Sequence, residues 1–330
     1  MTHVVNRPKV YVTRNIPRAI EVLKGFCDLT VHSKTRAPSK REIIRNIINK
    51  DGLLCVLFDR IDSEVIACAD NLKVISTYSV GYDHIDIVAA TKRGIYVGHT
   101  PDVLTETTAD LAFGLMLTVA RRIVEADKLV RRGKWKSVWS YDFMLGTDLH
   151  DKTLGIIGMG RIGSAVAKRA CGFSMKVLYH NRNKLSVDKE RELNVEYRKL
   201  DGLLKESDYV SIHVPFGKNT YHLMNEQKFR LMKSSAYLIN TSRGQVVDEI
   251  ALTKALRSKW IAGAALDVFE KEPIPKDSQL LKFDNVVLVP HIGSASIQTR
   301  EKMAEVAANN ILNVLKGDRP LYAVNEVRKK

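Results

Sequence analysis

The chain is short of several things, and each shortage removes a class of protein. It has only four cysteines in 330 residues, and Cys27, Cys55, Cys68 and Cys171 stand far apart without a CxxC spacing. That excludes a disulfide scaffold and argues against a zinc site, so free thiols in a reducing cytoplasm are the expected state. No apolar run approaches the ~18 residues of a membrane span. Strand-like Val10-Tyr-Val12 begins almost at once, so no signal or transit peptide is expected, and the final Glu326-Val-Arg-Lys-Lys330 is not a peroxisomal Ser-Lys-Leu address. Acidic residues are also scarce: 37 Asp and Glu stand against 52 Lys and Arg, a formal charge of +15. The basic residues are nevertheless spread along the chain. Their clusters (Arg121-Arg122, Arg131-Arg132, Arg328 to Lys330) are short and lack interleaved aromatics, which weighs against a nucleic-acid partner. An attraction for anionic small molecules and phosphates remains.

What is present is a regular alternation of strand-like and helix-like runs. Val10 to Val12, Gly52 to Phe58, Lys73 to Thr77 and Ile95 to Val97 read as strands, with helical stretches at Lys40 to Asn49 and Ser63 to Cys68. A single long helix is expected over Thr107 to Val130, opened by a capping region at Thr105 to Thr108. An irregular aromatic stretch, Trp135 to Gly146, follows. Strands resume at Thr153 to Ile157, Lys176 to Tyr179, Tyr209 to Val214, Ala236 to Asn240, Ala262 to Leu266 and Val286 to Val289, and a last helix covers Thr299 to Lys316. Alternation of this kind predicts an α/β protein with doubly wound parallel sheets, covered by helices on both faces. There are two such blocks, about 1–100 and 107–295, and the length suits two domains.

The most specific local pattern is Gly158-Met-Gly160-Arg161-Ile162-Gly163, placed between a strand and a helix. The first glycine allows the tight turn and the second lets backbone amides approach a pyrophosphate. The third lets the helix pack closely, its positive end toward the phosphates. A dinucleotide is therefore the expected cofactor. An acidic residue at the end of the next strand would hold the ribose 2′-hydroxyl of NAD. That residue is missing: Lys176 to Tyr179 runs into His180-Asn181-Arg182-Asn183-Lys184, and the nearest acid is Asp188. A guanidinium suits a 2′-phosphate where a carboxylate would repel it, so NADPH is expected in preference to NADH, with NADH use still possible. The competing reading leaves Arg182 pointing into solvent.

Three polar residues follow strand-like runs downstream: Arg243 in Asn240-Thr-Ser-Arg243-Gly244, Glu272 in Asp267-Val-Phe-Glu-Lys-Glu272-Pro273, and His291 in Pro290-His291-Ile-Gly293. Taken singly, each reads as a polar loop residue. Together they supply what reduction of a 2-oxo acid needs. An imidazolium can protonate the carbonyl oxygen, a carboxylate can orient that ring, and an arginine can pair with the substrate carboxylate.

With Ser76-Thr-Tyr-Ser-Val80-Gly81-Tyr-Asp-His-Ile85, Thr100-Pro-Asp-Val-Leu-Thr105, the glycine turn and these three loops in this order, the chain resembles the D-2-hydroxyacid dehydrogenase family. Within it, the chain looks most like the glyoxylate/hydroxypyruvate reductases. The resemblance implies His291 as proton donor, Glu272 as its partner and Arg243 as the substrate contact, with backbone amides near Val80 and Gly81 cradling the carboxylate. It implies cofactor contacts from Gly158, Gly160, Arg161, Ile162, Gly163, Asn181, Arg182, Pro215, Thr241, Asp267 and Gly293, and no metal. Asp267 would orient the nicotinamide carboxamide; its alternative is a strand-end cap. The resemblance further implies a substrate domain of residues 1–105 and 298–330 and an inserted Rossmann-like cofactor domain of 106–297. Hinges would lie near Pro101–Thr105 and Gly293–Gln298. It also implies a homodimer, with Trp139 or Phe143 reaching a substrate. Another 2-hydroxy acid as substrate, or a nucleotide-sensing scaffold like the C-terminal-binding-protein corepressors, are the alternatives.

Overall fold

A computed structural model describes residues 7–136 and 139–327. Residues 1–6, the basic cluster Arg328 to Lys330, and Ser137 and Val138 of the aromatic stretch lie outside the described residues. The chain forms two compact units, Met1–Leu104 with Ala295–Lys330, and Thr105–Ser294.

The first unit runs β1 (Lys9–Val12), α1 (Pro17–Lys24), β2 (Asp28–Val31), α2 (Lys40–Ile47), β3 (Gly52–Cys55), α3 (Ser63–Ala67), β4 (Val74–Thr77), α4 (Ile87–Lys92) and β5 (Tyr96–Gly98). Its sheet is parallel with the order β2-β1-β3-β4-β5. One face packs Tyr11, Leu53, Cys55, Ile75 and Val97 against Ile43, Ile47, Val65, Ile66 and Ala90 of α2, α3 and α4. The chain's last helix covers strands of the same sheet and packs along α1, where Arg18 and Glu305 form an ion pair at 2.8 Å. The start of α2 shows why local sequence places it. Ser39 and Glu42 form a reciprocal capping box, which satisfies two amide donors the helix cannot pair itself.

The second unit runs α5 (Thr105–Ala120), α6 (Ile123–Arg131), β6 (Thr153–Ile157), α7 (Arg161–Cys171), β7 (Lys176–His180), α8 (Val187–Leu193), β8 (Val195–Tyr197), α9 (Leu200–Glu206), β9 (Tyr209–Ile212), α10 (Glu226–Phe229), β10 (Tyr237–Asn240), α11 (Glu249–Arg257), β11 (Gly263–Leu266) and β12 (Val286–Leu288). The last helix, α12 (Ile297–Leu315), belongs to the first unit. The seven strands are parallel in the order β12-β11-β10-β9-β6-β7-β8. Chain order therefore reverses between β6 and β9, and open α/β sheets bind ligands beyond the strand ends at such a reversal.

Alternation along each strand feeds two cores. Leu154, Ile156, Val177, Tyr179, Tyr209, Ile239, Ala265 and Val287 face α5 and α7. Ile157, Leu178, Val210, Ile212, Leu238, Ala264, Leu266 and Val286 face α9, α10 and α11. A sheet buried on both faces reads as continuous apolar runs, and that is the signal the sequence carries.

The long helix expected over Thr107 to Val130 is two helices. It begins at Thr105, the first residue of the expected capping region, and it breaks at Arg122, whose φ of +53° is left-handed. The Arg122 guanidinium then folds back on Glu125 at 2.7 Å. The strand expected to Phe58 stops at Cys55, because the Val56 amide turns to donate to the buried Asp59 carboxylate at 2.9 Å. Strand β2 and helices α1 and α4, with helices α8 to α11 and strand β8 of the second unit, are additions to the sequence reading.

Candidate active site

The sequence-named residues of the second unit all follow the carboxyl ends of its parallel strands. Gly158, Gly160, Arg161, Ile162 and Gly163 make the turn from β6 into α7, and Asn181 and Arg182 follow β7. Pro215 follows β9, Thr241 and Arg243 follow β10, Asp267 and Glu272 follow β11, and His291 and Gly293 follow β12. Val80 and Gly81 belong to the first unit, on the loop after β4.

The turn at β6 needs its glycines for stated reasons. Gly158 has a φ of +99°, and a Cβ there would sit 2.7 Å from the His213 carbonyl carbon. A Cβ on Gly163 would sit 2.2 Å from the Gly158 oxygen, so helix and strand could not close. In front of Gly160 a Cβ would meet nothing within 4 Å. No side chain caps α7 among the described residues, so its first amides face that open space with the positive end of the helix. Thr241 adds a buried hydroxyl with no partner among the described residues at the end of β10. An uncapped helix, an open approach and an orphaned buried hydroxyl fit a dinucleotide, whose pyrophosphate and ribose supply acceptors and donors.

His213 is a residue the sequence reading missed. Its carbonyl forms the wall behind Gly158, and its ring Nε2 lies 2.8 Å from the Ser211 hydroxyl. Burial pushes the imidazole down to about 4, which keeps it neutral beside the turn. The loop after β7 divides its polar groups. Asn181 Oδ1 accepts from the Met159 amide at 2.7 Å and so fixes the glycine turn from the side. Lys184 lies 3.4 Å from Glu190, whose other oxygen takes the Tyr179 hydroxyl at 2.6 Å. Arg182 is exposed and makes no ion pair among the described residues.

The structure brings Glu272 and His291 into contact. Phe269 donates its amide to Glu272 Oε1 at 3.0 Å, leaving Oε2 to accept from His291 Nδ1 at 2.7 Å. Both side chains are mostly buried, at 16% and 20% exposure, so this pair is shielded from solvent far better than a surface ion pair. A ring held through Nδ1 keeps Nε2 as the nitrogen that can pass a proton onward.

His291 sits at φ +53°, a conformation that side chains with a β-carbon disfavour. Its own amide donates to the Asp267 carbonyl at 2.9 Å, while the two following amides, Ile292 and Gly293, donate to the Asp267 carboxylate at 2.6 and 2.8 Å. One residue at the end of β11 thereby holds three consecutive amides. Burial pushes the Asp267 carboxyl up to about 6, against the opposing pull of those amides and of His291. Because the folded chain retains that proton to higher pH than the usual 3.8, ionisation of Asp267 weakens the fold as pH rises from 3.8 to about 6. Asp267→Asn removes this dependence. The difference in Tm between wild type and variant should shift in the variant's favour across that pH window, as read by thermal denaturation; a constant difference assigns the slope to other groups.

Arg243 follows β10 on a turn shaped by buried Asn240. Asn240 Oδ1 accepts from the Ser242 amide at 3.0 Å and from its hydroxyl at 2.8 Å, and Nδ2 donates to the Arg243 carbonyl at 3.0 Å. The loop after β4 is shaped similarly. His99 Nδ1 lies 2.9 Å from the Val80 carbonyl and Ser79 Oγ donates to the Gly81 carbonyl at 2.7 Å.

A doubly wound sheet with an open glycine turn, a histidine–carboxylate pair and an arginine on neighbouring strand ends calls for comparison with known enzymes. Residues 113–293 match the family model for the NAD-binding domain of D-isomer specific 2-hydroxyacid dehydrogenases. The chain is 58% identical over 323 residues to a glyoxylate reductase of Thermofilum pendens, an alignment that covers 97% of this chain and 95% of that one. Among solved structures it is similar to an NADPH-dependent glyoxylate/hydroxypyruvate reductase of Sinorhizobium meliloti in complex with NADP and malonate. The TM-score is 0.88 at 32% identity, covering 98% and 99% of the two chains. It is also similar to a D-lactate dehydrogenase of Aquifex aeolicus complexed with NAD and lactic acid, with TM-score 0.83 at 33% identity over 94% and 96%. The chain belongs to the D-isomer specific 2-hydroxyacid dehydrogenases, a family of oxidoreductases built on a nucleotide-binding sheet of this kind.

Proposed function

We propose that the chain reduces glyoxylate to glycolate, and hydroxypyruvate beside it to D-glycerate, with NADPH as the preferred cofactor. The observation that carries the reaction is the 2.7 Å pair between His291 and Glu272 at the strand ends. Bound NADPH supplies the hydride. As negative charge grows on the substrate's carbonyl oxygen, His291 gives up its Nε2 proton, and Glu272 stabilises the positive ring beforehand. Arg243 pairs with the carboxylate and draws electron density from the carbonyl. The loop carrying Val80 and Gly81 has its carbonyls held by His99 and Ser79, and it offers backbone amides to a carboxylate. Residues 106–297 would serve the cofactor, and residues 1–105 with 298–330 the substrate. The test is chiral analysis of the product from hydroxypyruvate: D-glycerate is expected, and L-glycerate or a racemate would overturn the proposal.

The preference for NADPH rests on Arg182. Asn181 is neutral and already fixes Met159, and Lys184 is paired with Glu190. Arg182 is left as the cation for a 2′-phosphate, through charge-assisted bonds worth roughly 1.5–3 kcal/mol. Arg182→Ala should raise KM for NADPH by roughly 10–100-fold and leave KM for NADH nearly unchanged; equal effects on the two would remove the residue from cofactor choice.

A second copy of the chain is the proposed partner, supported by the exposed apolar side chains Ile123, Val130, Trp135, Trp139 and Tyr141. The four cysteines are free, in keeping with the proposed cytoplasmic setting. No helix among the described residues is long and apolar enough to cross a membrane.

A further inference from the structure

The loops that carry Arg243 and Glu272 are fastened together by two glutamates that the reaction itself does not use. The Glu249 amide, in the first turn of α11, donates to Glu270 Oε1 at 2.8 Å. The Glu270 amide, in the loop after β11, donates to Glu249 Oε1 at 2.7 Å. Each side chain therefore satisfies the other's backbone donor, and the start of α11 is pinned to the loop that leads into Glu272.

The same two segments touch at closer range beside the arginine. A Cβ on Gly244 would fall 1.8 Å from the Phe269 carbonyl carbon and 2.4 Å from the Glu270 nitrogen, so the Arg243 turn lies flat against that peptide. Gln245 Nε2 donates to the Glu270 carbonyl at 3.0 Å. His222, at φ +47°, donates its amide to the Gln245 carbonyl at 2.9 Å, and its Nε2 lies 3.1 Å from Glu270 Oε1 without hydrogen-bond geometry. On the other side, the Phe269 amide holds Glu272 Oε1. Glu270 is thus the residue on which the Arg243 turn, the Glu272 loop and the start of α11 converge.

This arrangement is electrostatically unfavourable. Burial raises the Glu249 carboxyl; the hydrogen bond from the Glu270 amide pulls it back, while the charges of Glu270 and Glu272 add to the rise. What the pair provides is a fixed distance. Two backbone segments joined at both ends of a short stretch cannot slide, and a displacement of about 1 Å between reacting groups can lower a rate by about 100-fold.

Resting on the reductase reading above, we propose that Glu270, together with Glu249, is a positioning residue: the reciprocal pair sets the spacing between Arg243, which takes the substrate carboxylate, and the Glu272–His291 pair, which serves the carbonyl. Cofactor binding at the glycine turn does not depend on it.

The experiment compares wild type, Glu270→Ala and Glu270→Gln with NADPH and glyoxylate. Glu270→Ala should lower kcat and raise KM for glyoxylate, with kcat/KM down by about tenfold or more, while Kd for NADPH stays within about twofold. Glu270→Gln keeps the Oε1 acceptor for the Glu249 amide and should recover most of the loss. If Glu270→Ala does not fold, Glu249→Ala removes the other half of the pair and carries the same comparison. An alanine variant whose kcat and KM match wild type, whatever its Tm, overturns the positioning role, as does a glutamine variant impaired as deeply as alanine. Absence of turnover in the wild type overturns the reductase reading itself, so the two failures are told apart.

Discussion

His291→Gln should lower kcat by about 1,000-fold while leaving the Kd for NADPH within about twofold. A positioned general acid contributes roughly 10²–10⁴ to a rate, and glutamine has no proton to give at working pH. The fold around it should persist. Asp267 grips the amides of Ile292 and Gly293, and the His291 amide holds the Asp267 carbonyl; none of these bonds uses the ring. A glutamine amide can also still donate to Glu272 Oε2, so the carboxylate is not left bare. The one strain is the left-handed φ of +53°, which glutamine accepts less readily than histidine. His291→Asn, whose short side chain tolerates that conformation, is therefore the matching control. If both variants retain more than about a tenth of the wild-type kcat, the ring is not the proton donor.

Arg243→Ala should cut kcat/KM for glyoxylate by roughly 1,000-fold, through KM as well as kcat. The guanidinium is proposed to hold the substrate in the ground state and to draw on the carbonyl in the transition state, so both parameters respond. The turn itself should survive the truncation. The Asn240 side chain shapes it through the Ser242 amide and the Arg243 carbonyl, and Gly244 packs on Phe269; none of these contacts uses the guanidinium, whose own bond to the Ser242 carbonyl at 2.9 Å is lost. Arg243→Lys restores the charge but not the planar fork, and it should recover only a small part of the loss. An unchanged KM in the alanine variant would contradict carboxylate binding.

How far such a reading goes from sequence depends on the range over which the signals act. The parallel sheets are legible because both faces are buried, so Ile156-Ile157 or Ala264 to Leu266 appear as unbroken apolar runs. The glycine turn is legible because it is local: Gly158, Gly160 and Gly163 act within a few residues of one another. The break at Arg122 is not, because the small and apolar residues on either side continue the helical pattern through it. Edge strands β2 and β8 are short and bury little, so they leave no alternation to read. The site divides along the same line. Arg243, Glu272 and His291 stand out as polar residues after apolar runs. The grip of Asp267 on the amides after His291, and the exchange between Glu249 and Glu270, join loops from different strands and have no local pattern. Asn181 shows a further limit: its type marks a loop, but only the structure shows its oxygen held by Met159.

The most direct test is kcat/KM for glyoxylate measured with NADPH and NADH side by side on the wild-type chain. Turnover with both cofactors, with NADPH favoured by about tenfold or more, is the expected result. Tight nucleotide binding without turnover of glyoxylate, hydroxypyruvate or any other 2-oxo acid, or a clear preference for NADH, would contradict it.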